Sequence, residues 1–343
     1  MSVNHNIGIT ASGCEVASGK TVLFFAALVI VIIRRRTMKK DLQKFIPDTA
    51  TGKFLKQALE DRNMSMKDVL HRYMYTRWPK AYIGAALGEN NLAPVADFIS
   101  SLIASPVDKE KQQLLKNNFA KTYPSKIITT EEAIKLIKIS KSINTALPEA
   151  STPFKNATDF ALQDPDHIVA FECSCRASSK SPCHPLDVCL IVGEPFASFA
   201  AKNHADKTRR ITEDDAIRIL EAENARGHVH HAFFKDIMLG RFYAICNCCP
   251  CCCQAMEAIQ NGIPMLIPSG YIAVVDPHKC IGCGQCMEYC PFDAMKVRDK
   301  RMHINPRKCM GCGVCTNKCR KDALRLARNK KHPEPLLADK LDK

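Results

Sequence analysis

The sequence has little of what most enzymes use to bind nucleotides or to cleave bonds. It contains one tryptophan and 7% aromatic residues, and it has neither a three-glycine dinucleotide fingerprint nor a phosphate-binding loop with its lysine. No convincing hydrolytic triad is present. The sequence therefore does not support a flavin or nicotinamide site. With 46% hydrophobic and 24% charged residues, the 343-residue chain is nevertheless globular and long enough for two or three domains.

Cysteine is missing from the first half of the chain apart from Cys14, and abundant after it. Eighteen of the 19 cysteines lie between Cys173 and Cys319, in tight groups within a mid-sized chain. Disulfide frameworks are typical of small secreted domains, whereas closely spaced groups of thiols favour metal ligation. The pattern therefore predicts metal sites and a reducing, cytoplasmic location.

The most specific pattern is a repeated run of cysteines near the C-terminus. The first run has two, two and three intervening residues and ends in Pro291: it consists of Cys280, Cys283, Cys286 and Cys290. The second run repeats this spacing with Cys309, Cys312, Cys315 and Cys319. Over about residues 274–325 this resembles the bacterial-type ferredoxins that carry two [4Fe–4S] clusters.

The resemblance implies that the fourth cysteine of each run serves the other cluster. One cluster would then be bound by Cys280, Cys283, Cys286 and Cys319, and the other by Cys309, Cys312, Cys315 and Cys290. Arg320 departs from the pattern, because the second run should end in proline. We expect binding to survive, since all eight thiols are retained.

Ten more cysteines lie upstream, in two groups with a different spacing. They are Cys173, Cys175, Cys183, Cys189, Cys246, Cys248, Cys249, Cys251, Cys252 and Cys253. We favour one or two further iron–sulfur clusters, with both groups contributing ligands. A zinc site of Cys173, Cys175, Cys183 and either His184 or Cys189 is the first alternative, and a dithiol/disulfide redox site is the second. The density at 246–253 is too high for every thiol to bind one cluster.

The fold class expected is α+β with several domains. We expect a mostly helical domain at 38–165, a cysteine-rich α/β domain at 166–273, the ferredoxin-like domain at 274–325 and a basic tail at 326–343. Predicted strands in the second domain are Ile168–Phe171, Val188–Val192, Val229–Phe234 and Arg241–Ile245. Predicted helix starts, each with a capping hydroxyl, are Ser65, Thr130 and Thr212.

Three histidines follow Gly227 at the start of a predicted strand: His228, His230 and His231. We favour a polar strand end with one buried imidazole over a histidine that faces a metal.

Residues 1–37 contain an apolar run of 12 residues, Val22–Ile33, followed by Arg34, Arg35 and Arg36. One interpretation is a short membrane anchor over residues 17–33, which would keep the rest of the chain at the cytoplasmic face. The other is that translation starts at Met38 and that the leader is not part of the protein.

The formal net charge of +14 favours an anionic partner. An acidic redox protein fits, as does an anionic membrane surface; without a recognised binding motif, nucleic acid is not expected. The leading hypothesis is an iron–sulfur electron-transfer protein, an electron carrier or oxidoreductase subunit whose ferredoxin module relays electrons to a second metal site. The alternative is a reductase whose substrate or dithiol site lies at the upstream cysteines. A cluster-dependent sensor or scaffold is a third class, which no motif favours.

Overall fold

The computed structural model describes residues 46–61, 64–86, 114, 117, 120, 125–146, 159–235 and 238–341. The apolar leader and its proposed anchor at 17–33 lie outside these residues. The chain divides into two units, 1–46 and 47–343, and everything described below except Ile46 belongs to the second. Within the described ranges, none of the helices combines the length and the apolar character needed to cross a bilayer.

Helices α1 (Ala50–Glu60), α2 (Met66–Arg77) and α3 (Pro79–Ala86) precede the sheet. The Ser65 hydroxyl accepts a hydrogen bond from the Asp68 backbone, and the Asp68 carboxylate accepts one from the Ser65 backbone. This capping box starts α2 at the residue that the sequence predicts. On α1, Phe54 is fully buried, and the Arg72 guanidinium of α2 lies 4.0 Å from its ring centroid.

The central sheet has eight strands in the described part of the chain. They are β1 (Ser125–Ile128), β2 (Ile143–Ala146), β3 (Asp159–Phe171), β4 (Cys189–Glu194), β5 (Thr208–Ile211), β6 (Val229–Phe234), β7 (Phe242–Cys248) and β8 (Leu266–Ile267). The order is β2-β3-β4-β7-β6-β1-β8, with β5 also paired to β3. The pairs are antiparallel except β1 with β8. All four predicted strands are present. The bounds of β4, β6 and β7 agree with the prediction to within three residues, whereas β3 starts nine residues before its predicted start.

The prediction of a mostly helical domain up to residue 165 does not hold after Ser125, although the helix predicted to open near Thr130 is present over Thr130–Ile137. Residues 125–171 contribute three strands, and the predicted boundary at 165 falls inside β3. The short run with Ile127 and Ile128 is β-branched and buried, and it pairs with β6. The periodicity of a four-residue run cannot distinguish a strand from a helix. These residues form a strand because β6 lies beside them and pairs with them.

Helices cover both faces of the sheet. They are α4 (Thr130–Ile137), α5 (Ser174–Ser178), α6 (Phe196–Asn203), α7 (Glu213–Ala225) and α8 (Gln254–Gln260). One apolar core includes Leu136 of α4 and Leu220 of α7, and the other includes Phe199 of α6 and Met256 of α8. The predicted Thr212 cap of α7 is confirmed, whereas α4 is capped by Thr129 and not by Thr130.

The C-terminal part is built from two similar units. Its strands are β9 (Tyr271–Val275), β10 (Met295–Arg298), β11 (Arg301–Ile304) and β12 (Leu324–Arg328), with short helices α9 (Gln285–Glu288) and α10 (Val314–Asn317). Strand β12 pairs antiparallel with β9, and β10 pairs with β11 in a hairpin. The predicted basic tail contributes to the first core: Leu336 is buried there together with Ala338 and Leu341 of α11 (Ala338–Leu341).

Candidate metal centres

The structure brings Cys290 of the first run to three thiols of the second run. Cys290, Cys309, Cys312 and Cys315 line one cavity, whose wall also includes Phe292. The chemistry of the donor set, four thiols around an apolar cavity, fits a [4Fe–4S] cluster. This grouping is the one that the ferredoxin resemblance implies.

The other four ferredoxin thiols also lie together. Burial, together with the negative charges of Cys319, Cys283 and Cys280, raises the pKa of Cys286 to about 11. Such an influence requires proximity, so Cys319 of the second run lies near the first run. The Ala323 backbone N–H donates to the Cys319 sulfur at 3.3 Å, and the Ala294 N–H donates to the Cys290 sulfur at 3.5 Å.

Glycine allows each cysteine run to turn back on itself. Gly282 and Gly311 have φ of +66° and +68°, a region that other residues rarely adopt. A Cβ at Gly282 would lie 2.3 Å from the Lys300 carbonyl oxygen, and one at Gly311 would lie 2.2 Å from that of Tyr271. Glycine is therefore required at both positions, because φ is positive and because a side chain would collide with a neighbouring carbonyl oxygen.

Comparison with known proteins agrees with this geometry. A family model described as a 4Fe-4S dicluster domain matches residues 272–320. Residues 272–320 form a 4Fe–4S ferredoxin-type domain. One component of the ion-translocating oxidoreductase complex of Escherichia coli is 36% identical over 47 residues, which are 14% of this chain and 24% of that protein. Ferredoxin-2 of Desulfomicrobium norvegicum is 43% identical over 30 residues, 9% of this chain and 51% of that protein.

The matches therefore span about a quarter to a half of the curated relatives. No solved structure matches the chain. What the comparisons show is iron–sulfur electron transfer by the C-terminal domain, because [4Fe–4S] clusters bound by cysteine supply one-electron chemistry.

The two halves of the ferredoxin domain differ in exposure. Cys283 is exposed, and the neighbouring Ile281 side chain is 60% exposed. Cys309 and Cys315 are buried. Cys312 packs against the apolar cluster that contains Cys248 and Cys253 of the central domain. One half thus faces solvent, and the other faces the interior of the protein.

Six of the ten upstream cysteines form a group that we call the inner thiols: Cys173, Cys175, Cys189, Cys246, Cys248 and Cys253. Hydrogen bonds connect Cys173 to Cys175 and Cys189, and these hold the pKa of Cys173 well below its usual value. Cys189 also contacts Cys246, and Cys248 contacts Cys253. Four of the six are buried, and Cys175 and Cys246 are half-buried.

The elements of the central sheet deliver the inner thiols to one place. Cys246 and Cys248 lie two residues apart near the end of β7 and therefore face the same side of the sheet. Cys189 begins β4, the neighbouring strand. Cys173 and Cys253 precede α5 and α8.

A buried cation lies beside the inner thiols. Burial lowers the pKa of Lys235 to about 8, while the charges of nearby thiols, among them Cys246 and Cys253, oppose that shift. The Lys235 ammonium also donates a hydrogen bond to the hydroxyl of Tyr75 on α2. A cation here would stabilise the negative charge of thiolates and of any cluster that they bind.

The other four upstream cysteines form a separate group, the outer thiols: Cys183, Cys249, Cys251 and Cys252. The sulfurs of Cys183, Cys249 and Cys251 all lie within 4.8 Å of one another. The Cys252 sulfur lies 3.6 Å from that of Cys251. The zinc set suggested by the sequence, which joins Cys183 to Cys173 and Cys175, is thus divided between the two groups.

An ion-pair network lies behind the outer thiols. Arg176 is fully buried and donates to Glu223 at 2.5 Å, to the Asn247 carbonyl at 2.8 Å and to the Pro185 carbonyl at 2.5 Å. The His228 ring donates from Nδ1 to the same Glu223 oxygen at 2.6 Å. Although burial favours the neutral acid, these hydrogen bonds hold the pKa of Glu223 below its usual value. The other Glu223 oxygen accepts from Arg226 at 3.0 Å, so Glu223 is a buried carboxylate shared by three partners.

The expectation of one buried imidazole on this strand is wrong, because His228, His230 and His231 are all buried. His230 donates to the Asn247 side-chain oxygen at 2.5 Å, and His228 points its Nε2 towards Cys183 at 3.8 Å. The roles of Arg176 and Glu223 were missed by sequence reasoning. Their only signals are an arginine one residue after Cys175 and a glutamate five residues before His228.

Proposed function

We propose that the chain carries single electrons between a redox partner at the exposed half of its ferredoxin domain and a further iron–sulfur site at the inner thiols. The observation that carries the proposal is the packing of Cys312 against the apolar cluster that contains Cys248 and Cys253. The buried half of the ferredoxin domain and the inner thiols therefore border the same region of the core. Short separation through packed protein is what electron transfer between two sites requires.

Fixed contacts hold the two parts together. The Asn317 side chain donates to the Asn224 side chain at 2.6 Å, and Lys318 donates to the Ala225 carbonyl. The Ser269 hydroxyl donates to the Gly311 carbonyl at 2.7 Å and is fully buried. These contacts tie α10 to the end of α7 and the second cysteine run to the segment before β9.

Charge favours an acidic redox partner. Between residues 274 and 328 the sequence has 12 lysines and arginines against five aspartates and glutamates. Two [4Fe–4S]²⁺ clusters with their thiolates would contribute about −4, which leaves the domain basic. An acidic electron-transfer protein would approach such a surface faster at low ionic strength.

Burial favours the relay over the reductase alternative. A substrate would have to reach the inner thiols, yet Cys173, Cys189, Cys248 and Cys253 are each at most 9% exposed. An electron can reach a metal cluster at the inner thiols through the packed protein, so the relay does not require these thiols to be open to a substrate.

Metal analysis of the anaerobically purified full chain tests the proposal. About eight irons belong to the ferredoxin domain, so about twelve with matching acid-labile sulfide are expected if the inner thiols bind a further cluster. The double variant Cys248→Ser/Cys253→Ser should return the count to about eight, whereas Cys14→Ser should leave it at about twelve. About eight irons in the unmodified protein would overturn the relay and leave an isolated ferredoxin domain.

A further inference from the structure

The outer thiols are spaced unlike the ferredoxin thiols in the same structure. Three of their sulfurs lie within 4.8 Å of one another. Among the described residues, the groups of three ligand atoms this close include no ferredoxin cysteine. Thiolates of a [4Fe–4S] cluster bind four different irons, so they stand farther apart than thiolates that share one ion. The outer thiols are therefore arranged for a single metal ion.

The separation between one of these thiols and a buried imidazole suits tetrahedral zinc. With Zn–S bonds of about 2.3 Å and Zn–N bonds of about 2.0 Å, tetrahedral ligands lie roughly 3.8 Å apart for two sulfurs and roughly 3.5 Å for sulfur and nitrogen. The Cys183 sulfur and the His228 Nε2 are 3.8 Å apart. The imidazole of His228 thus lies beside Cys183, one of the three thiols.

The hydrogen bonds of His228 fix which ring nitrogen is free. Nδ1 lies 2.6 Å from the Glu223 carboxylate and 3.1 Å from Nη2 of Arg176. Nη2 already donates to Glu223 and to the Asn247 carbonyl, and the carboxylate can only accept, so Nδ1 carries the proton. In the neutral ring, Nε2 then has a lone pair directed at Cys183. A carboxylate that orients a histidine in this way is typical of zinc ligands.

We propose that Cys183, Cys249, Cys251 and His228 bind one zinc ion, which is distinct from the iron sites and does not depend on the electron relay. Four protein ligands leave no open position, so the site is structural. It joins the loop before β4 to the segment 249–251, and this segment lies between Cys248 and Cys253 of the inner thiols. Zinc would therefore hold the backbone from which these two inner thiols project.

The charges balance around such a site. Three thiolates and one zinc ion carry −1, and the buried Arg176 lies close enough to Cys249 for the two charges to interact. Binding would release the thiol protons, so zinc affinity should increase with pH until the thiols are fully deprotonated.

X-ray absorption at the zinc edge, together with zinc and iron counts on the anaerobically purified full chain, tests the proposal. About one zinc per chain with three sulfur neighbours and one nitrogen is expected. His228→Gln should lower zinc retention against a chelator at least about tenfold and remove the nitrogen neighbour. Two variants are controls that should retain both zinc and its ligand shell: His184→Gln, at an exposed histidine next to Cys183, and Cys252→Ser.

Three results would overturn the proposal. They are an absence of zinc from the unmodified protein, a shell of four sulfurs, and loss of zinc in Cys252→Ser with retention in His228→Gln. If His228→Gln does not fold, the ligand shell of the unmodified protein decides. The iron count separates this proposal from the relay, because a protein with about eight irons and one zinc would support the first and overturn the second.

Discussion

Tyr289 of the ferredoxin domain lies directly against Gly227 at the end of α7. A Cβ built on Gly227 would be 2.9 Å from the Tyr289 ring, and the Lys318 ammonium lies 4.5 Å from the centroid of that ring. Gly227 has φ of +90°. The position therefore excludes a side chain for two reasons, its backbone conformation and the neighbouring domain.

Gly227→Ala should lower the free energy of unfolding by more than the roughly 1–2 kcal/mol of backbone strain, because the methyl group also displaces Tyr289. Urea unfolding followed by circular dichroism would measure the change. Gly262→Ala is the control, since Gly262 follows the end of α8 with a similar φ of +75°. Equal losses in the two variants would show that the contact with Tyr289 contributes nothing.

Pairs of cysteine substitutions should reveal which thiols share a cluster. Cys290→Ser/Cys309→Ser removes two thiols from one cavity, so about four of the eight ferredoxin irons should remain. Cys290→Ser/Cys280→Ser removes one thiol from each set and should abolish both clusters. Iron analysis and EPR of the reduced protein would measure this, and the opposite result would assign Cys290 to the first run.

Arg176→Leu should destabilise the protein strongly, by about 3–5 kcal/mol, because it leaves the buried Glu223 carboxylate without its main cation. Glu223 is 1% exposed in its side chain. Arg226→Ala removes the other arginine on Glu223 at 3.0 Å, but that side chain is 45% exposed, so a loss below about 1 kcal/mol is expected. Unfolding free energies of the two variants provide the comparison, and similar losses would contradict the assigned role of Arg176.

Acid should destabilise the fold through His231. Burial lowers the pKa of this fully buried histidine to about 3, whereas the unfolded chain binds the proton near pH 6.5. The stabilising contribution is therefore present above about pH 6.5 and is lost as the pH falls towards 3. His231→Leu should make the unfolding free energy less dependent on pH between about 5.5 and 7.5, whereas the exposed His184→Gln should not. An unchanged slope in His231→Leu would mean that His231 binds its proton equally in the folded and the unfolded chain.

Much of the ferredoxin domain could be predicted from the sequence. Its eight cysteines recur at fixed spacing. Gly282 and Gly311 lie between them at positions with positive φ, a conformation that few other residues adopt. The capping boxes at Ser65 and Thr212 are equally local, because the hydroxyl and the carboxylate are three residues apart. Local spacing determines local geometry, so these features need no knowledge of the rest of the chain.

The division of the ten upstream cysteines depends on tertiary structure. Cys248 and Cys249 are neighbours in sequence, yet one belongs to the inner thiols and the other to the outer thiols. Cys248 is the last residue of β7 and Cys249 lies just beyond it. Partners more than 50 residues away then determine which group each thiol joins, Cys173 for the first and Cys183 for the second. The same holds for Ile127 and Ile128, which become a strand because β6 is there to pair with them. The sequence by itself therefore determined that this protein binds metal through cysteine, and only the fold decided which thiols act together.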